Sequence, residues 1–130
     1  MSYNLSLSSG EFTGNIPVKA GAVIEAGGLF AVNATGNAIP ITSVAGSTVV
    51  GRAENDADNT DGIDGTVSVL GRRGAMHLTN SGVTPLTAAD FGQQVYAESP
   101  DTVRGDQDVA EATAGTFLGF DAEGLCIVLL

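Results

Sequence analysis

Five carboxylates, Glu54, Asp56, Asp58, Asp61 and Asp64, fall within eleven residues of this 130-residue chain. Several oxygens on a sharply turning loop are what a hard cation such as calcium requires. The spacing does not follow the helix-loop-helix calcium pattern: starting it at Asp56 puts Asp61 where glycine is obligatory, and Gly62 comes one residue late. The segment reads instead as a solvated loop whose charge Arg52, Arg72 or Arg73 can balance. His77 is the one imidazole in the chain, and no serine sits in a GxSxG elbow, so a nucleophile-base pair has no local signature. It reads as a surface or strand-end histidine. Cys126, within LCIVLL, has the surroundings of a buried small hydrophobe, where the thiol pKa rises and nucleophilicity is lost. As the one cysteine, it also excludes an intrachain disulfide and a cysteine-rich zinc site. Gly71-Arg72-Arg73-Gly74 is too short for a phosphate cradle, and no GxxxxGK[ST] occurs. Two arginines on one hairpin can still make a contact patch, since arginine is enriched where interfaces hold their energy. No catalytic, metal or cofactor-binding residue is assigned.

The elements that must position these groups read as short strands. Val23-Ile24, Leu29 to Val32, Ile39 to Ile41, Val49-Val50, Thr66 to Leu70, Val95 to Ala97, Phe117 to Phe120 and Leu125 to Leu130 are apolar or alternating runs. Between them lie turn signals: Gly27-Gly28, Ala34-Thr35-Gly36-Asn37, Asp58 to Gly62, Gly71 to Gly74 and Ser99-Pro100-Asp101. Thr84 to Phe91 predicts a short helix of one or two turns, with Thr87 as N-cap and Asp90 completing a weakened capping box. Leu125 to Leu130 is apolar on both faces, as in a central strand or one covered by another subunit. There is an internal echo. Leu29-Phe30-Ala31 after its glycine turn resembles Val95-Tyr96-Ala97 after Gly92, and Val49-Val50-Gly51-Arg52 resembles Phe117-Leu118-Gly119-Phe120, which two related halves of one barrel or sandwich would explain. Residues Met1 to Asn15 are rich in Ser, Asn and Gly, with Tyr3, Leu5 and Leu7 alternating and Phe12 following. This is a frayed terminus or an extended arm that pairs with a neighbour. The expected organisation is an arm over residues 1–15 and a single β-domain over 16–130, all-β, as a barrel or sandwich with one short helix.

Composition narrows the function class. Fifteen acidic residues face five basic ones, Lys19, Arg52, Arg72, Arg73 and Arg104, for a net charge of -10. That balance repels a phosphate backbone and an anionic membrane surface, so neither nucleic acid nor membrane is expected as partner. No basic segment followed by an apolar one opens the sequence at Met1, and the longest wholly apolar run is too short to cross a bilayer, which predicts synthesis in a cytoplasm-like compartment.

The chain resembles the bacteriophage capsid cement, or head decoration, proteins. The resemblance lies in PVKAGAVIEAGGLFAV, in VVGRAENDADNTDGIDGTVSVLGRRGAMHL, and in LTAADFGQQVYAES followed by GTFLGF, and it covers roughly Pro17 to Leu130. It implies a compact β-domain of β-tulip or jelly-roll type that assembles as trimers, or in some members dimers. Such proteins sit on the outer surface of the virion and clamp neighbouring major capsid proteins together, without enzymatic activity or cofactor. On that reading Tyr3, Leu5, Leu7, Phe12, Arg72 and Arg73 are the candidate partner-binding residues. The alternative is a small β-barrel accessory domain of a bacterial surface or fibre assembly.

Overall fold

A computed structural model of the chain describes residues 11–41, 47–106 and 111–130. It is all-β. The strands are β1 (Glu11–Pro17), β2 (Val23–Ile24), β3 (Leu29–Val32), β4 (Ala38–Pro40), β5 (Thr48–Ala53), β6 (Ala57–Asp58), β7 (Ser68–Arg73), β8 (Ala75–Asn80), β9 (Gln94–Ser99), β10 (Thr102–Arg104), β11 (Ala112–Phe120) and β12 (Cys126–Leu129). The expected helix is a single 3-10 turn, Ala88–Asp90, and Asp90 caps it by accepting the Thr87 N–H at 2.7 Å. None of its residues is buried, so no packing extends a helix beyond its costly first turn.

The pairing closes a five-stranded barrel. β8 runs antiparallel to β12, β12 to β11, β11 to β9 and β9 to β10, and β10 returns to β8 in parallel. The first half of the chain repeats this scheme strand for strand: β1 with β7, β7 with β5, β5 with β3, β3 with β4. Its closure is reduced to one parallel bridge, Val18 to Ala38, and the Lys19 N–H to Ala38 carbonyl bond of 3.0 Å. The sequence echo therefore marks equivalent strands, β3 with β9 and β5 with β11, and each half wraps on itself where two halves of one barrel were expected.

The halves are not independent bodies. Phe30, Ala38, Val50 and Val69 fill the first barrel with Val18, Ile24 and Ala57. Their strand neighbours Leu29, Ala31, Ile39 and Val49 point the other way, into one cluster with Val95, Phe117, Cys126 and Val128 of the second barrel. The β3–β5 wall is thus buried on both sides, which suits its unbroken apolar runs. β12 lies between β11 and β8, the central placement its double apolar face predicts.

Two boundaries differ from the sequence expectation. Residues 11–15, assigned to the arm, belong to β1 and pair with β7, with Phe12 opposite Arg72. Tyr3, Leu5 and Leu7 lie outside the described residues. Gly71-Arg72-Arg73 is strand and not a reversal; the chain turns at Gly74 alone, whose φ of 134° side chains rarely adopt. Gly71 is glycine for another reason: a Cβ there would meet the Phe30 ring at 3.0 Å.

Gly115 sits in β11 where a Cβ would overlap the Leu129 carbonyl oxygen of β12, whereas a Cβ on Gly14 meets nothing within 4 Å. Gly115→Ala should lose more than about 2 kcal/mol in urea unfolding because backbone must move to admit it, and Gly14→Ala should stay within about 0.5 kcal/mol of the parent. Equal stability of the two variants would contradict the pairing of β11 with β12.

Candidate interaction surface

The groups with chemical potential are kept apart by strand alternation. Cys126 pairs with Leu78 and Ile127 with His77 across β12 and β8, so the thiol faces the core while the imidazole faces solvent on the opposite side of the sheet. Burial pushes the Cys126 thiol up from its ordinary value, with the charge of Asp121 adding to the effect. His77 meets Asp121 at 2.7 Å. That hydrogen bond, ahead of those from Leu125 and Glu123, holds the Asp121 carboxyl below the usual range. The other Asp121 oxygen accepts the N–H groups of Glu123 at 2.8 Å and Leu125 at 2.9 Å, and so shapes the turn into β12.

The acidic segment is more built than a solvated loop. Ala57–Asp58 forms β6 and pairs with β2. Asp56 accepts the Ala26 N–H at 2.8 Å, Asp64 accepts the Ala20 N–H at 2.7 Å, and Asp58 accepts both the N–H and hydroxyl of Thr60. The hydroxyl bond, then the N–H bond, lowers the Asp58 pKa. At the centre Asn59, 2% exposed, donates to the carbonyls of Val18, Lys19 and Ile63. These acids replace water as acceptors for turn N–H groups, and among the described residues the balancing by arginine is a 3.5 Å pair between Arg52 and Glu54. Among the described residues no cluster of three or more metal-ligating acids, histidines or cysteines occurs.

The arginines separate into different roles. Arg73 donates to the Val50 carbonyl at 2.5 Å and so ties β7 to β5. Arg104, which the sequence gave no signal to single out, is 6% exposed; it meets Glu111 at 3.1 Å and Glu98 at 3.7 Å, an internal ionic cluster. Arg72 stacks over the Phe12 ring at 5.3 Å, so two of the sequence candidates meet. Its direct neighbour across the sheet is Arg52, a residue that sequence reasoning placed in a strand but could not place beside Arg72. A bulge brings it there. Phe30 pairs with Gly51 and Ala31 with Val49, leaving Val50 over, and this extra residue turns Arg52 away from the Phe30 core while Ala53 enters it. Phe12 remains 60% exposed, and Arg52 lines a pocket of about 390 Å³ together with Leu29, Met76, His77, Leu78, Pro100 and Asp101.

A second exposed patch is apolar. Phe91 is 64% and Leu129 48% exposed; Leu129 lies opposite Thr116, one outward position from Leu118, and Gly92 donates to the Phe117 carbonyl. The outer side of the final strand is therefore partly uncovered.

Because the native Asp121 pKa lies below the unfolded value of about 3.9, its contribution is present above that pH and is lost as pH falls through the native pKa. Thermal melting followed across pH should show Asp121→Asn less stable than the parent near neutrality, with the difference closing below about pH 4. A gap that stays constant through acid pH would contradict the His77–Asp121 linkage.

No family model, no curated protein and no solved structure matches this chain.

Proposed function

We propose that this chain is a capsid cement protein, which binds the outside of a phage head and holds neighbouring major capsid proteins together. The observation that carries the reading is the position of β1. It is the terminal strand of the ten-stranded sheet, with no strand of the described residues paired along its outer side and the Phe12–Arg72 contact beside it. Tyr3, Leu5 and Leu7 continue directly from this edge in sequence. An edge strand offers unpaired N–H and C=O groups to a partner chain, and alternating side chains supply specificity. The strand motifs that resemble those of cement proteins support the same reading, as does the placement of Cys126 and His77 on opposite faces of the sheet, which favours adhesion over chemistry.

Since β1 belongs to the barrel, the informative deletion stops before it. Removal of residues 2–10 should leave the melting temperature near that of the parent and reduce co-sedimentation with undecorated heads. Undiminished co-sedimentation by the folded deletion variant would remove the arm from the attachment surface.

Self-association as a trimer belongs to the same proposal. Phe91, Leu118 and Leu129 supply the apolar face that another copy would cover, and covering it would remove exposed hydrophobic surface. Leu118→Glu with Leu129→Glu should shift sedimentation velocity from oligomer to monomer while the strand dichroism is kept. A parent protein that is monomeric both free and on heads would refute this part.

A further inference from the structure

We infer that Arg52 and Arg72, on the ledge made by Phe12, form a recognition site for carboxylates carried on an extended segment of a protein partner. The inference rests on the reading that this protein works by adhesion, and it names the chemistry that the partner presents. Five basic side chains serve a chain of net charge -10. Arg104 is enclosed with Glu98 and Glu111, Arg73 is spent on the Val50 carbonyl, and Lys19 lies beyond β1 on a turn. The remaining two cations are set directly opposite each other, Arg52 against Arg72. Like charges directly opposite on neighbouring strands destabilise a sheet. Fifteen acids are present in the sequence to relieve this, yet among the described residues Arg72 makes no ion pair, and Arg52 meets Glu54 only at 3.5 Å with its side chain 47% exposed.

The arrangement suits an external anion. The Arg72 guanidinium lies over the Phe12 ring at 5.3 Å, within cation–π range, and a guanidinium offers the forked pair of N–H groups that a carboxylate accepts. A carboxylate between the two arginines would cancel their repulsion. The pocket that Arg52 lines together with Leu29, Met76, Leu78, Pro100, His77 and Asp101 would take a neighbouring uncharged side chain of the same segment, since Asp101 there disfavours a second carboxylate. A protein segment with spaced carboxylates between apolar residues fits both features, whereas the continuous dense charge of nucleic acid is disfavoured by a chain of net charge -10.

The test uses the full chain and a short synthetic peptide alternating Glu and Val, followed by NMR amide shifts at Phe12, Arg52 and Arg72. Its Gln-Val counterpart and a single-stranded DNA oligonucleotide are the comparison probes. The Glu peptide should bind, and both comparison probes should bind at least about tenfold more weakly, the loss expected for a charge-assisted hydrogen bond. Arg72→Lys, which keeps the charge and loses the fork, should weaken the Glu peptide by a similar factor. Arg52→Gln should reduce binding while its melting temperature holds or rises, because the like-charge contact is gone. Equal binding of the Glu and Gln peptides, equal binding of DNA, or indifference to both substitutions would overturn the inference. A shift in oligomeric state on Arg52→Gln with peptide binding unchanged would also overturn it, since the occupant would then be a second copy. Heads separate the two readings. Co-sedimentation without peptide binding would leave the cement proposal and remove this site, and peptide binding without co-sedimentation would do the reverse.

Discussion

The structure depends on a wall that is buried on both sides. β3 and β5 send Phe30 and Val50 into one barrel and Leu29, Ala31 and Val49 into the other cluster. A strand pair in this position cannot slip by one residue without exchanging the contents of two cores, so its register is held harder than that of a sheet with one wet face. The bulge at Val50 is the adjustment that makes it workable. It ends the run of inward apolar residues with Gly51 and Ala53 and turns the long charged Arg52 outward. Gly51 has to be small there, since a Cβ would overlap the Arg72 carbonyl.

The consequence at the surface is direct. Because β7 pairs with the far end of β5, and β1 with β7, the bulge that saves the core also brings Arg52, Arg72 and Phe12 into line. Packing decided the phase of the strand, and the phase placed two cations face to face. In the second barrel the matching bulge leaves Ala114 over between Thr113 and Gly115, and the position equivalent to Arg52 is Thr116, opposite Leu129. The same backbone device thus sets two arginines side by side in one half and an uncharged pair, Thr116 and Leu129, in the other.

The acidic character has a second use. Carboxylates at Asp56, Asp64, Asp90 and Asp121 accept backbone N–H groups, each satisfying a turn donor that would otherwise need water. A chain that has 18 glycines and little helix contains many such turns, so part of its negative charge is structural. The excess that remains exposed adds a general repulsion between like-charged surfaces.

The sequence by itself determined the class of the fold, most strand positions, the Ala34 to Asn37 hairpin turn, the Thr87–Asp90 cap and the inward thiol of Cys126, because these follow from local periodicity and turn chemistry. It also carried the echo between the halves. What it could not contain was pairing between distant strands. Phe12 is 60 residues from Arg72 in sequence and opposite it in space; the separation between Arg52 and Arg72 is shorter but crosses a loop of unknowable path. Gly71 to Gly74 carries the same composition whether it turns or runs straight, and only the Phe30 ring behind Gly71 decides between them. The acidic residues likewise look solvated in one dimension, since the N–H groups they cap at Ala20 and Ala26 come from another part of the chain. Local residue types set what each segment can be, and tertiary packing chose which distant surfaces those segments share.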